Sequence, residues 1–103
     1  MKRLTISLLL VSLLTLSLTA SCSSGATLTI YHAGSLAIPF DEITKEFNKL
    51  YPDIRVQAEA SGSITAIRKV TQLGKQAGIV ASADYTLIPE MMFPEHTEWY
   101  MIF

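Results

Sequence analysis

Cysteine is nearly absent from this chain: Cys22 is the only one among 103 residues, so no intramolecular disulfide can form. The fold must rest on its core. A surplus of charge is lacking too, with eight basic against nine acidic side chains and a formal net charge of −1 at pH 7. That balance excludes the basic stripe of a nucleic-acid-binding surface, so no nucleic-acid partner is expected. Several catalytic signatures are missing as well. A phosphate-binding P-loop needs Gly, four residues and Gly-Lys-Ser/Thr, but before Gly74-Lys75 the first glycine's position holds Lys69, and Gln76 follows. Neither Ser35 nor Ser63 sits in a Gly-x-Ser-x-Gly elbow. His32 and His96 stand far apart without a third ligand, so no metal site by side-chain chelation is expected.

The long apolar run is confined to the beginning. Lys2 and Arg3 precede Ile6 to Leu18, which is apolar except for Ser and Thr, and Thr19-Ala20-Ser21 then leads into Cys22. This is the pattern of an export signal. Small residues before a cysteine predict cleavage of a lipoprotein-type signal peptide, residues 1–21, with lipid attached to Cys22. Thr19 stands where such boxes usually carry Leu. The plainer alternative is an uncleaved anchor, because the run approaches the roughly 20 residues of a spanning helix. Both readings put the remainder outside the cytoplasmic membrane. Residues 22–26 then form a Ser/Gly tether to a domain spanning 27–103.

Within that domain, Thr27-Leu28-Thr29-Ile30-Tyr31 alternates polar and apolar residues, as does the segment Ile54 to Glu59, and both are predicted strands. Leu36, Phe40, Ile43, Phe47 and Leu50 recur at spacings of 4, 3, 4 and 3, one stripe of an amphipathic helix. Pro39 suits its first turn, Asp41 and Glu42 its positive end, and Tyr51-Pro52-Asp53 its termination. Ile64, Ile67, Val70 and Leu73, with Ala66 and Thr71, describe a second helix ending near Gly74 to Gly78. Gly78 to Ser82 is short and apolar and reads as a buried parallel strand. The order is βαβαβ, an α/β fold with a parallel sheet. A loop or short helix follows through Met92. Trp99-Tyr100-Met101-Ile102-Phe103 has the composition of a further strand, and a chain stopping there reads as truncated.

Two strand-to-helix junctions share one chemistry: Gly34-Ser35 and Gly62-Ser63. Glycine permits close backbone approach, serine supplies a hydroxyl, and the first helical turn leaves N–H groups free. Such corners lie outside the carboxyl ends of parallel strands, where ligands of α/β sheets bind. Together they make a cradle of neutral donors for a compact, fully ionised oxyanion. The plainer reading is that each serine is an ordinary helix cap, which Ser63 in particular would suit. Asp84 is read as a cap for the next segment. Tyr85, Trp99 and Tyr100 read as core or interface aromatics, and Lys45, Lys49, Lys69 and Lys75 as the polar faces of helices. An enzyme using Ser35 or Ser63 with His32 would need a carboxylate to orient the imidazole, and none is evident.

Tyr31-His32-Ala33-Gly34-Ser35-Leu36, Phe47 with Tyr51-Pro52, Ser61-Gly62-Ser63 with Ile67-Arg68, and Val80-Ala81-Ser82-Ala83-Asp84-Tyr85-Thr86-Leu87-Ile88-Pro89 together carry a family pattern. It closely resembles the molybdate/tungstate-binding proteins of ABC importers, in their archaeal-type branch, from Thr27 to Phe103. The resemblance implies a two-lobed fold of the periplasmic-binding-protein type II kind, of which 27–103 is the N-terminal part of the first lobe. It implies that Gly34, Ser35 and Ser63 contact tungstate or molybdate, with no cofactor. Later segments of such proteins supply acidic groups and a tyrosine, so this chain is expected to be an incomplete, binding-impaired fragment. Implied partners are the oxyanion, an ABC permease, and the membrane through the lipid anchor; no enzymatic activity is implied. Two alternatives stand beside it: a binder of sulfate or another oxyanion, and an extracytoplasmic enzyme acting on an anionic substrate. The sequence departs from the pattern at Gly78-Ile79, where relatives usually carry Ala-Asp.

Overall fold

The computed structural model describes residues 25–103. The signal segment 1–21, Cys22 and the first part of the tether lie outside the described residues. Elements follow in the order β1 (Thr27–Ala33), a 3-10 turn (Gly34–Leu36), α1 (Ala37–Leu50), β2 (Arg55–Ser61), α2 (Ser63–Thr71), β3 (Ile79–Ala81) and α3 (Leu87–Met91). The strands form one sheet in the order β2-β1-β3, with both pairings parallel. This is the expected βαβαβ arrangement.

Strand β1 is central. Its Ile30, Tyr31, His32 and Ala33 are buried, and the ladder to β2 runs without a break from Thr27↔Arg55 to Ala33↔Ser61. Both strands therefore extend two residues beyond their alternating segments, because pairing rather than polarity sets where they end. Successive strand side chains point to opposite faces. Tyr31 lies under the Lys69 ammonium, 5.0 Å from its ring centroid, whereas His32 stacks on Phe40 of α1 at 5.0 Å. The two helices thus cover opposite faces of the sheet.

The 3-10 turn delays the start of α1. Pro39 lies in the first turn, but Asp41 and Glu42 fall beyond it, and Asp41 instead pairs with Lys45 at 2.6 Å. The apolar stripe of α1 is only partly covered: Phe40 and Phe47 are half-buried, while Ile43 and Leu50 are exposed. The cause is geometric. Helix α1 packs over β2, an edge strand too narrow to receive the whole stripe. Helix α2 sits over β1 and carries the core, with Ala66 and Ile67 both 0% exposed.

Three expectations are corrected. Lys69 is not on a solvated face, for it is buried among Tyr31, Glu59 and Ser61, which rotates the covered arc of α2 away from Ile64 and Leu73. Trp99–Phe103 forms no strand: it pairs with none of the described strands, and its five side chains are exposed. Tyr85, Trp99 and Tyr100 are exposed, so of the core-or-interface reading the core half is overturned among the described residues. The short strand β3 also departs from the buried reading. It pairs with β1 alone, and Ile79 is exposed.

Two glycines do conformational work. Gly74 has φ +63°, a left-handed turn that releases the chain from α2, after which Lys75 N–H donates to Lys69 O at 2.9 Å. Gly78 lies where a Cβ would collide with Leu28 Cδ1, and its N–H donates to Thr29 O at 2.9 Å. The Gly78-Ile79 departure is therefore compatible with the β1 ladder. Ile67 anchors the larger packing, so Ile67→Ala is expected to destabilise the chain by about 2–5 kcal/mol, read as a lowered urea midpoint at constant slope. A loss below about 0.5 kcal/mol would remove Ile67 from the core.

Candidate functional site

The carboxyl ends of β1, β2 and β3 each run into a turn, and the three turns touch. At the first corner, Ala33 is extended, with φ −61° and ψ 144°, and Gly34 and Ser35 lie exposed in the 3-10 turn. A Cβ on Gly34 would stand 3.7 Å from Ser61 O, and Ala33 pairs with Ser61, so this turn lies directly beside the second corner. Ser35 makes no side-chain hydrogen bond among the described residues.

At the second corner the N-cap is Gly62, not Ser63. Gly62 O accepts from Ala66 N–H at 2.9 Å, closing the first helical turn and leaving the preceding amides of α2 free of intrahelical partners. The Ser63 hydroxyl does not cap the helix. Its Oγ accepts from Ala83 N–H at 3.2 Å, joining this corner to the turn after β3. With that lone pair occupied by a donor, the Ser63 proton remains available to donate outward.

The third turn is closed by its own side chains. Ser82 Oγ donates to Asp84 O at 2.8 Å and accepts from Asp84 N–H at 3.0 Å. Asp84 Oδ1 accepts from Thr86 N–H at 2.9 Å and Thr86 Oγ1 at 2.8 Å, which starts the approach to α3. The capping reading of Asp84 is corrected: the N-cap of α3 is Thr86, with no side-chain cap hydrogen bond, and Asp84 instead closes the turn that precedes it. Hydrogen bonds from the Thr86 backbone and then from its side chain hold the carboxyl below the ordinary Asp range.

His32 is engaged rather than poised. Its Nδ1 donates to Ala33 O at 2.9 Å, the ring is buried, and it stacks on Phe40. No carboxylate hydrogen-bonds the imidazole among the described residues. A groove of about 600 Å³ runs from the turn after β3, at Ser82, Ala83 and Asp84, to Phe40, Ile88 and Trp99, and Gly34, Ser35 and Ser63 do not line it. Among the described residues no cluster of three or more His, Cys, Asp or Glu is placed to hold a metal ion, and no helix is long and apolar enough to cross a membrane.

The three sequence-derived residues thus lie on touching turns. What sequence reading missed is the support behind them: Lys69 Nζ donates to Glu59 Oε1 at 2.7 Å, and Ala83 N–H holds Ser63. One signal for Lys69 was available, since it lies three residues after Ala66 and next to Val70, on the edge of the apolar arc.

No family model matches the chain. Individual relatives do. Over 75 residues, 73% of this chain and 22% of the relative, it is 53% identical to an uncharacterized solute-binding protein of Methanococcus maripaludis. The chain is thus a homologue of solute-binding proteins over the residues it shares with them. Among these are the molybdate/tungstate-binding protein WtpA of Pyrococcus abyssi, 53% identical over 83 residues, and that of Thermococcus kodakarensis, 50% identical over 82. Those matches cover 76% and 75% of this chain and 24% and 23% of the respective relatives. The chain therefore spans about a quarter of the length of the curated relatives it matches. The motif resemblance drawn from Tyr31–Leu36 and Val80–Pro89 agrees with these names.

The Asp84 turn supplies a direct check. A carbon-13 NMR titration should give Asp84 a midpoint below the ordinary Asp value, and Thr86→Val should bring it part of the way back, since only the side-chain donor is removed. Because the folded value is depressed, the stability this group contributes is present above the unfolded Asp range and is lost as pH falls through the folded value. An Asp84 midpoint unaffected by Thr86→Val would mean that the hydroxyl contact is not formed.

Proposed function

We propose that this chain supplies one wall of an extracytoplasmic oxyanion site and belongs to the solute-binding component of an importer for tungstate or molybdate. The observation that carries this reading is the contact between the first two corners at the carboxyl edge of a parallel sheet. Gly34 and Ser35 on one turn, and Ser63 with the free amides of α2 on the other, offer donors without a counter-charge. Such a set favours a compact anion that carries no proton of its own. The names of the Pyrococcus and Thermococcus relatives support the choice of metal oxyanion.

The export signal at 1–21 would carry this wall across the cytoplasmic membrane and a lipid on Cys22 would tether it at the outer face of that membrane, where an ABC permease would receive the ion. No cofactor takes part, since the oxyanion is cargo. The enzymatic alternative has less support, because His32 Nδ1 is committed to Ala33 O and, among the described residues, no carboxylate orients the ring. Sulfate keeps a specific argument in its favour: neutral donors at helix N-termini discriminate poorly among tetrahedral dianions.

A single wall of this kind, offering a few water-exposed hydrogen bonds, grips the ion weakly, with a Kd of ~1 mM or above. An NMR titration of the full chain in detergent with sodium tungstate should move the amides of Gly34, Ser35, Ser63 and Ile64, and Ser63→Ala should weaken binding by about threefold or more. Unmoved corners would refute the oxyanion wall. Submicromolar affinity would refute the view that one wall is insufficient, and equal competition by sulfate would refute the metal-oxyanion preference.

A further inference from the structure

We infer that Lys69 and Glu59 form a positioning clamp that sets the geometry of the Gly62-Ser63 corner; this rests on the oxyanion reading above. Lys69 is 8% exposed, yet its ammonium is accounted for on three sides. It donates to Glu59 Oε1 at 2.7 Å and makes a longer 3.4 Å contact with Ser61 Oγ, and the Tyr31 ring lies beneath it. Glu59 and Ser61 alternate onto the same face of β2, and Tyr31 is the register partner of Glu59 on β1. One cation thus crosses both strands near their carboxyl ends.

Its place on α2 gives that bond its leverage. Lys69 is six residues after Ser63, roughly 9 Å along the helix, and long helical side chains lean toward the N-terminus. The clamp therefore holds the opening turns of α2 against the sheet from beneath the corner. Ala83 N–H holds Ser63 from the other side. With α2 fixed between these two contacts, the Ser63 hydroxyl and the first-turn amides keep one direction.

The alternative role for a buried lysine near an anion site is bulk attraction, and the two roles predict opposite effects of one substitution. Glu59 cancels the charge of Lys69. If Lys69 acts by charge, Glu59→Gln unmasks it and strengthens anion binding; if it acts by position, Glu59→Gln loosens the clamp and weakens binding. Glu59 is more than half exposed, so this variant leaves the core intact.

The experiment compares the full chain with Glu59→Gln, Lys69→Met and Lys69→Arg, reading Ala83 amide exchange without ligand and sodium tungstate affinity by NMR. We expect Lys69→Met to raise Ala83 exchange by about tenfold and weaken tungstate by about fivefold or more, with Lys69→Arg returning both to within about twofold. Glu59→Gln should move both readouts in the same direction by a smaller factor. Exchange at Ile30 and Tyr31 should stay constant. Unchanged Ala83 exchange in Glu59→Gln and Lys69→Met, or stronger tungstate binding in Glu59→Gln, overturns the clamp. If Lys69→Met fails to fold, Glu59→Gln decides alone. A wild-type chain that ignores tungstate overturns the oxyanion reading, while Ala83 exchange still decides the clamp.

Discussion

Everything in this chain depends on β1 being paired on both sides. Flanked by β2 along its whole length and by β3 at Ile30–His32, it is paired on both edges at its centre, and its four residues from Ile30 to Ala33 are buried. That double pairing fixes which way each neighbour points: His32 goes to Phe40 and α1, Tyr31 to Lys69 and α2. It also fixes where the strand stops. Because Ala33 is still paired with Ser61, Gly34 is delivered against the second corner rather than into solvent beyond it.

The elements that were legible in the sequence are those whose pattern and neighbours agree. Period-two alternation located β1 and β2, and period-3.6 stripes located α1 and α2, because each element needs only one face satisfied to declare itself. Ends were less legible. The last two residues of β1 and of β2 are set by mutual pairing, which has no local signature in the His32-Ala33 or Ala60-Ser61 dipeptides. Trp99–Phe103 failed for the complementary reason: its composition is that of a strand, but a strand exists only where another strand receives its hydrogen bonds. Ile43 and Leu50 carry the same lesson. Their stripe is correct for a helix, but what covers a stripe depends on the width of the sheet beneath it.

For the candidate site, the residue types were legible and their connections were not. Gly-Ser at a strand-to-helix junction announces a donor-rich turn, but capping statistics assign Ser63 to the N-cap, whereas Gly62 occupies it. The hydroxyl is drawn instead to an amide twenty residues away, a contact that exists only because the crossover through α2 brings β3 beside β1. Lys69 is similar. A lysine on a short amphipathic helix is ordinarily solvated, and its burial requires a carboxylate ten residues earlier on the adjoining face.

These connections sharpen the proposed chemistry. A donor-only cradle discriminates against protonated anions only if nothing in it can accept a proton from the ligand. In this chain three nearby acceptor atoms are engaged within the protein: Ser63 Oγ receives Ala83 N–H, Ser82 Oγ receives Asp84 N–H, and Asp84 Oδ1 receives both donors of Thr86. Among the described residues the one buried cation, Lys69, is paired with Glu59 and faces the sheet. The two corners, Gly34-Ser35 and Gly62-Ser63, offer backbone N–H and side-chain O–H groups and carry no titratable side chain of their own. A wall built this way stabilises an anion through directional hydrogen bonds rather than net charge, so its selectivity depends on how rigidly two turns are held apart. The separation of the corners is in turn set by the β1–β2 register, and the pitch of the second by the helix that Lys69 draws onto the sheet.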